Sequence, residues 1–267
     1  MYLKKYDKYY LRILKHAKFP FMKLKGNAMG NKSQYSDEEK TLLVIAENIH
    51  EISFIVNYLN DSTFYVYANS PTFIKTKIPD YRYINYHMHN YFHNVYILKE
   101  RMTAFLKRVK RASKDIEIKK AADLKLKIID QYFQNHIKTR NEHTHLVRFI
   151  DKDISTLEFF ESACGSELLN DRGLIKKEHV KMAFSEAKKS CLRFMKNSNI
   201  SINDFVGQYF DFITELILDG SGLLKVHLRK YSYEENRKSE VKGSGLHSTY
   251  LGEDEDVRAT HLTRSSN

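Results

Sequence analysis

Seven consecutive residues, Thr139-Arg140-Asn141-Glu142-His143-Thr144-His145, hold the chain's densest set of groups able to handle a phosphate. An imidazole titrates near neutrality and can move a proton. A guanidinium can hold developing negative charge, and its planar fork meets two phosphate oxygens at once. On a helix, Asn141 and His145 stand four apart and share a face, with Arg140 on the flank. Arg140, Asn141 and His145 therefore suit phosphodiester chemistry. Thr139 and Glu142 have the spacing of a capping box, which predicts that a helix starts here with the three groups at its opening.

The same residues have a plainer reading, a solvated helix start in which Arg140 meets a carboxylate and His145 is hydrogen-bonded in a partly buried position. Other histidines invite a metal: His143 and His145 form H-T-H, and in H-M-H-N-Y-F-H the pair His89 and His93 is spaced i,i+4, with His87 nearby. No H-E-x-x-H and no clear third carboxylate or cysteine ligand accompanies them, so neither a metal nor any cofactor is expected. G-x-x-x-x-G-K-[ST], G-x-G-x-x-G and G-x-S-x-G are all missing from the sequence, leaving NTP hydrolysis, dinucleotide chemistry and a hydrolase elbow without support.

The elements that must position these groups read as helices. A start at Ser36, with Glu39 completing a capping box, leads into Leu42, Ile45, Ile49, Ile52, Val56 and Leu59, one apolar stripe in steps of three and four. Residues 61–80 mix β-branched and aromatic residues with two prolines and read as an irregular connector with a short strand near Thr63–Tyr67. From Arg82 to Arg111, Ile84, Met88, Tyr91, Val95, Leu98, Met102, Phe105 and Val109 keep the alternation expected of bundle packing. The C-terminal half of that helix carries Arg101, Lys107, Arg108, Lys110 and Arg111, a basic ridge suited to RNA phosphates. A helix over 121–137 is expected to bury Ala121, Leu124, Ile128, Tyr132 or Phe133, and Ile137. Val147–Ala163 reads as a further helix interrupted by the charged Asp151-Lys152-Asp153. Two more helices follow, Lys177–Asn197 and Ile202–Leu218, the second opened by Ser201.

Composition sets the class. Three prolines, ten glycines and no tryptophan in 267 residues favour an all-α helical bundle built on long antiparallel helices. Two cysteines, Cys164 and Cys191, are too few for a disulfide framework and read as core thiols in a reducing cytoplasm. No run approaches the length of apolar residues that a membrane span needs, and no secretory signal is evident, so no membrane partner is expected. The formal charge is +11; residues 238–267 hold four basic and five acidic side chains, a net −1, so the rest carries +12. Such an excess attracts polyanions and makes RNA a reasonable partner. Three parts are expected: a basic aromatic arm at 1–35, a helical domain at 36–235, and a disordered polar tail at 236–267 whose Gly-Ser element also suits an appended, non-native segment. The first twenty-five residues set eight Lys/Arg against the single Asp7, among tyrosines and phenylalanines. Such a pattern can grip RNA, but an amphipathic arm whose rings pack on the body is the stronger reading.

With these residues in view, the sequence resembles the HEPN (higher eukaryotes and prokaryotes nucleotide-binding) domains, many of which are ribonucleases. Their motif is an arginine, four to six residues beginning with a polar one, and a histidine; Arg140, Asn141 and His145 match it with four residues between. The stretch YHMHNYFHNVYILKERMTAFL (86–106) looks like the first long helix of bacterial members, and the likeness covers about 36–235. The resemblance implies metal-independent endoribonuclease activity, in which the 2′-hydroxyl attacks the neighbouring phosphate and leaves a 2′,3′-cyclic phosphate. It further implies a homodimer with a composite active site, where His145 is general acid/base, Arg140 stabilises the phosphorane and Asn141 positions. A toxin or antiviral defence setting follows, with an inhibitor or antitoxin protein as a further partner. One departure stands out: Val147 replaces the tyrosine found two after the histidine in antitoxin-controlled members, which puts control by nucleotide transfer in doubt. The alternatives are a non-catalytic helical module binding RNA, a nucleotide or a protein, and a plain dimeric interaction protein in which 82–111 is a packing helix.

Overall fold

The computed structural model describes residues 36–68, 78–145, 152–166, 176–219 and 224–226; the side chains of 37–39 and 140–145 lie outside the description. So do the arm at 1–35 and the tail at 236–267, and every described residue falls in the unit Met1–Arg229. Five helices make up the described part: α1 (Asp37–Ala68), α2 (Asp80–Ala112), α3 (Ile116–His145), α4 (Lys152–Cys164) and α5 (Lys177–Ile217). Among the described residues the only β pairing is an isolated bridge between Leu218 and Leu224 just past α5. The fold is an all-α bundle.

The apolar stripes of α1 and α2 are the core. Leu42, Ile45, Ile49, Ile52, Val56 and Leu59 are at most 6% exposed, and the eight seam residues of α2 from Ile84 to Val109 at most 2%. Cross-helix contacts fix the directions. Glu51 meets Arg101 at 3.5 Å and the Tyr83 hydroxyl donates to Tyr65 O, so α1 and α2 are antiparallel. Lys110 to Asp123 and Lys99 to Asp130 (2.8 Å) set α3 antiparallel to α2. Asn199 Nδ2 donates to Leu59 O and Lys188 Nζ to Tyr67 O, which runs α5 antiparallel to α1. Glu161 of α4 accepts from the first two N–H groups of α2, Asp80 and Tyr81, at 2.9 and 3.1 Å. The residue before α2 is Pro79, which has no side chain to cap with, so the cap comes from 80 residues away.

Several sequence expectations are corrected. Residues 61–68 are the last turns of α1, not a connector with a strand: Ser62 and Thr63 donate back to Tyr58 O and Asn60 O, and Val66 is buried. Back-bonding satisfies the hydroxyls within the helix, so the β-branched and aromatic run that suggested a strand stays helical. The two helices expected at 177–197 and 202–218 are one 41-residue helix, α5. Its polar Asn199 and Ser201 do not break it, because Asn199 binds Tyr91 and Leu59, and Ser201 Oγ pairs with the Tyr132 hydroxyl at 2.7 Å. The buried face of α3 is Ile118, Ala122, Ile129 and Phe133, whereas Leu124 and Ile128 are exposed. A rotation of one residue separates the two apolar sets, and packing against α2 chose the one holding Phe133. The start expected at Val147 lies outside the described residues, and α4 runs from Lys152.

The Tyr91 hydroxyl donates to Asn199 Oδ1 at 2.9 Å while Asn199 Nδ2 donates to Leu59 O at 2.9 Å, joining α2, α5 and α1 inside the core. Asn199→Ala strands both a buried hydroxyl and a carbonyl and is expected to cost about 2–4 kcal/mol in urea unfolding, against about 1–2 kcal/mol for Tyr91→Phe. The double variant is expected to lose less than the sum of the two.

Candidate nucleic-acid site at the end of α3

Helix α3 begins where Asp115 caps it. The Asp115 carboxylate accepts from Glu117 N–H at 2.8 Å, and Ser113 Oγ accepts from Asp115 N–H at 3.1 Å in the short turn after α2. From there the helix runs without interruption for 30 residues to His145. Thr139, expected as an N-cap, instead donates its hydroxyl to Asn135 O one turn back at 3.0 Å. The capping-box reading of Thr139 and Glu142 is therefore overturned. Arg140, Asn141 and His145 stand in the last two turns of a helix rather than at its opening, and their side chains lie outside the described residues.

That location changes the electrostatics. The C-terminal end of a helix carries about half a negative charge, which favours guanidinium and imidazolium and offers nothing to an anion. A phosphate held here depends on the cationic side chains alone. Backbone register adds a second constraint. Position 140 falls seven residues, about two turns, after the buried Phe133. Positions 141 and 145 lie together on a flank, and 140 and 145 diverge by about 140° at five residues' separation.

The five basic residues expected to hold RNA are only partly available. Arg101 reaches Glu51 of α1, and Lys110 is tied to Asp123 of α3. Arg111 Nε donates to Lys107 O at 3.3 Å, Lys107 is exposed, and Arg108 is half-buried. These groups also sit at the wrong end for the motif. Lys110 is level with Asp123, and from there to Arg140 the helix rises on the order of 25 Å. The structure thus keeps the ridge and the motif apart.

Comparison with protein-family models, with curated proteins and with solved structures returns no match. The site is built from its own residues.

One turn before Arg140 stands His136, half-buried beside the Phe133 ring, with Nδ1 buried and lacking a hydrogen-bond partner among the described residues. Burial holds its pKa below the ordinary histidine value. His87 is similar: it is boxed by Tyr83 edge-on at 4.5 Å, Tyr86 at 5.4 Å and Tyr65 stacked at 6.2 Å, and burial lowers its pKa as well. His89 and His93 are exposed, and no group of three metal-ligating side chains occurs among the described residues. Sequence reasoning missed an open polar cleft of about 480 Å³ between α1 and α5, lined by Asn60, Thr63, Lys196, Asn199, Ile200, Asn203 and Asp204. Its amides are knit together, since Asn203 Nδ2 donates to Asn199 O and Asn60 Oδ1. The spacing of Asn199 and Asn203, one turn apart, was the signal available for it.

The two depressed histidines set a pH dependence. Unfolded, each takes up a proton as pH falls through about 6.5, while the folded chain resists. Their contribution is therefore present above that value and is lost as pH drops through the lower folded pKa. Asp80 and Glu161, raised chiefly by burial, work in the opposite direction at more acid pH. The melting temperature is expected to fall between pH 7.5 and 5.5, and the fall should shrink in a His87→Gln, His136→Gln variant. An unchanged slope in that variant would exclude these histidines as its source.

Proposed function

We propose that the chain is a HEPN-like, metal-independent endoribonuclease acting as a homodimer on RNA in the cytoplasm. The observation that carries the reading is the run Arg140-Asn141 with His145 at the end of the second of two long antiparallel helices, within an all-α bundle. A net +12 outside the last thirty residues supports a polyanionic substrate. In this reading His145 removes the 2′-hydroxyl proton or protonates the leaving 5′-oxygen, Arg140 neutralises the phosphorane, and Asn141 orients the phosphate. The 2′-oxygen forms its bond to phosphorus as the 5′-oxygen bond breaks, leaving a 2′,3′-cyclic phosphate and a 5′-hydroxyl. The negative helix end favours imidazolium, which suits the general acid. Because positions 140 and 145 diverge around one helix, the reading requires a second copy, with the arginine of one chain meeting the histidine of the other. Unrestrained cleavage would harm the host, so a toxin or antiviral role with an inhibitor or antitoxin protein belongs to the same reading. One member of α1, Lys40–Ala68, is long and apolar enough to cross a membrane by length and composition, but 50% of that window is buried in the bundle. Packing as a core helix accounts for it.

A second reading, a non-catalytic HEPN-like module that binds RNA or protein, is favoured by the distance between the basic end of α2 and the motif. RNA incubation separates the two. Cleavage unaffected by EDTA, with cyclic-phosphate ends and a loss of about 100-fold or more in Arg140→Ala and in His145→Ala, is expected for the nuclease. Both variants should stay folded and dimeric. Full activity in either removes the assignment, and RNA that shifts in a gel yet stays intact favours the second reading.

A further inference from the structure

The outward face of α1 carries a run of exposed rings and carboxylates. Glu47, Glu51, Phe54, Tyr58, Asp61 and Tyr65 follow one another in steps of four and three, forming one continuous helical stripe, and all are exposed. Phe54, Tyr58 and Tyr65 are 52%, 47% and 51% exposed. The rings form two groups: His50 stacks on Phe54, which meets Tyr58 edge-on at 4.7 Å, and, two turns on, Tyr65 stacks on His87 of α2. A row of exposed rings along one helix face, rimmed by charge, marks a surface that something covers. The carboxylates select what does. A polyanion is repelled by Glu47, Glu51 and Asp61, and a second copy of the same stripe would set acids against acids. The fitting occupant is apolar on one side and cationic beside it.

This chain contains such a segment outside the described residues. Leu3, Tyr6, Tyr10, Ile13 and Ala17 recur in steps of three and four, the period of the α1 stripe, and Lys4, Lys5, Lys8, Arg12 and Lys15 stand between them, with Lys18 just after. Leu3 to Ala17 spans the same fourteen helical steps as Glu47 to Asp61, about 21 Å on a helix. Residues 26–35, GNAMGNKSQY, hold two glycines and reach at most about 35 Å, ample for a reversal into the start of α1. We propose that residues 1–25 dock in cis and antiparallel on the outer face of α1, apolar side on Phe54, Tyr58 and Tyr65, lysines against Glu47, Glu51 and Asp61. Glu51 also meets Arg101 of α2.

The proposal stands apart from the nuclease reading and is tested on the full chain. Zero-length carbodiimide coupling, read by mass spectrometry on mixed light and heavy-isotope chains, is expected to join Lys4, Lys5, Lys8 or Lys15 to Glu47 or Asp61 within one chain. Recovery of a Lys99–Asp130 cross-link serves as the internal standard. That standard without any link from the arm to α1 overturns the proposal. Links found only between isotopes overturn it too and assign the stripe to a second copy. Phe54→Glu with Tyr58→Glu, at exposed positions that leave the core intact, is expected to abolish the links and to speed tryptic cleavage in residues 1–25 about tenfold. Equal cleavage rates in the parent and the variant also count against docking.

Discussion

A single buried amide holds the middle of this bundle. Asn199 sits on the longest helix, 6% exposed, and both ends of its side chain are used: Oδ1 accepts from Tyr91 and Nδ2 donates to the carbonyl of Leu59. A polar group in an apolar seam costs free energy unless its partners are placed for it. Here the partners come from α1 and α2, so the amide is satisfied only when three helices stand in one register. Hydrophobic stripes alone allow a helix to slide by a turn at modest cost. The Asn199 contacts remove that freedom, and the Tyr209 hydroxyl, which donates to Met102 O further along the same two helices, removes it again. Tyr91 and Tyr209 both have their phenols pushed well up by burial, so they remain donors throughout the physiological range.

The register so fixed decides what the end of α3 can do. Lys99 and Lys110 of α2 reach Asp130 and Asp123, and the stacked rings of Tyr132 and Phe205, with centroids 3.8 Å apart, clamp α3 to α5. Beyond the buried Phe133 the helix continues to positions 140, 141 and 145, of which 141 and 145 share a face and 140 does not. A helix that started at Thr139 would have turned its positive end toward an anion held by these residues. A helix that ends at His145 offers its negative end, and its guanidinium and imidazole positions diverge. Phosphate chemistry at such a place draws on side-chain charge and on a second chain, which is why the dimer belongs to the functional reading itself rather than being an addition to it.

How much of this was legible in the residues depends on whether a signal was local. The stripes of α1 and α2 repeat over many turns, and every position named from them is buried. Boundaries were less legible because short polar side chains give the same local signal whether they end a helix or bond within it. Ser62, Thr63 and Thr139 all bond back to carbonyls in their own helix. Ser201 and Asn199 bond to other helices, which no local pattern announces. The cap on α2 is the least readable of all, because the acceptor, Glu161, is distant in sequence and the residue at the helix start is a proline. On α3 two apolar sets one residue apart, Leu124 with Ile128 and Ile129 with Phe133, were both plausible cores, and only the partner helix distinguishes them.

Charge follows the same logic. A count of cations along α2 suggests a continuous basic ridge, but a helix in a bundle has neighbours, and those neighbours carry acids. Arg101 and Lys110 are drawn to Glu51 and Asp123 on opposite flanks, so the ridge is divided between two interhelical seams. Each such exposed pair contributes little to stability, at most about 1 kcal/mol. Its larger consequence is to remove a cation from the field that a polyanion would meet. Along the sequence the excess is concentrated in the first twenty-five residues, with their eight cations and one acid. In the docking proposed above, α1 is the arm's counterion in competition with RNA, and whichever of the two it binds more tightly sets how much of the chain's positive field is available to a substrate.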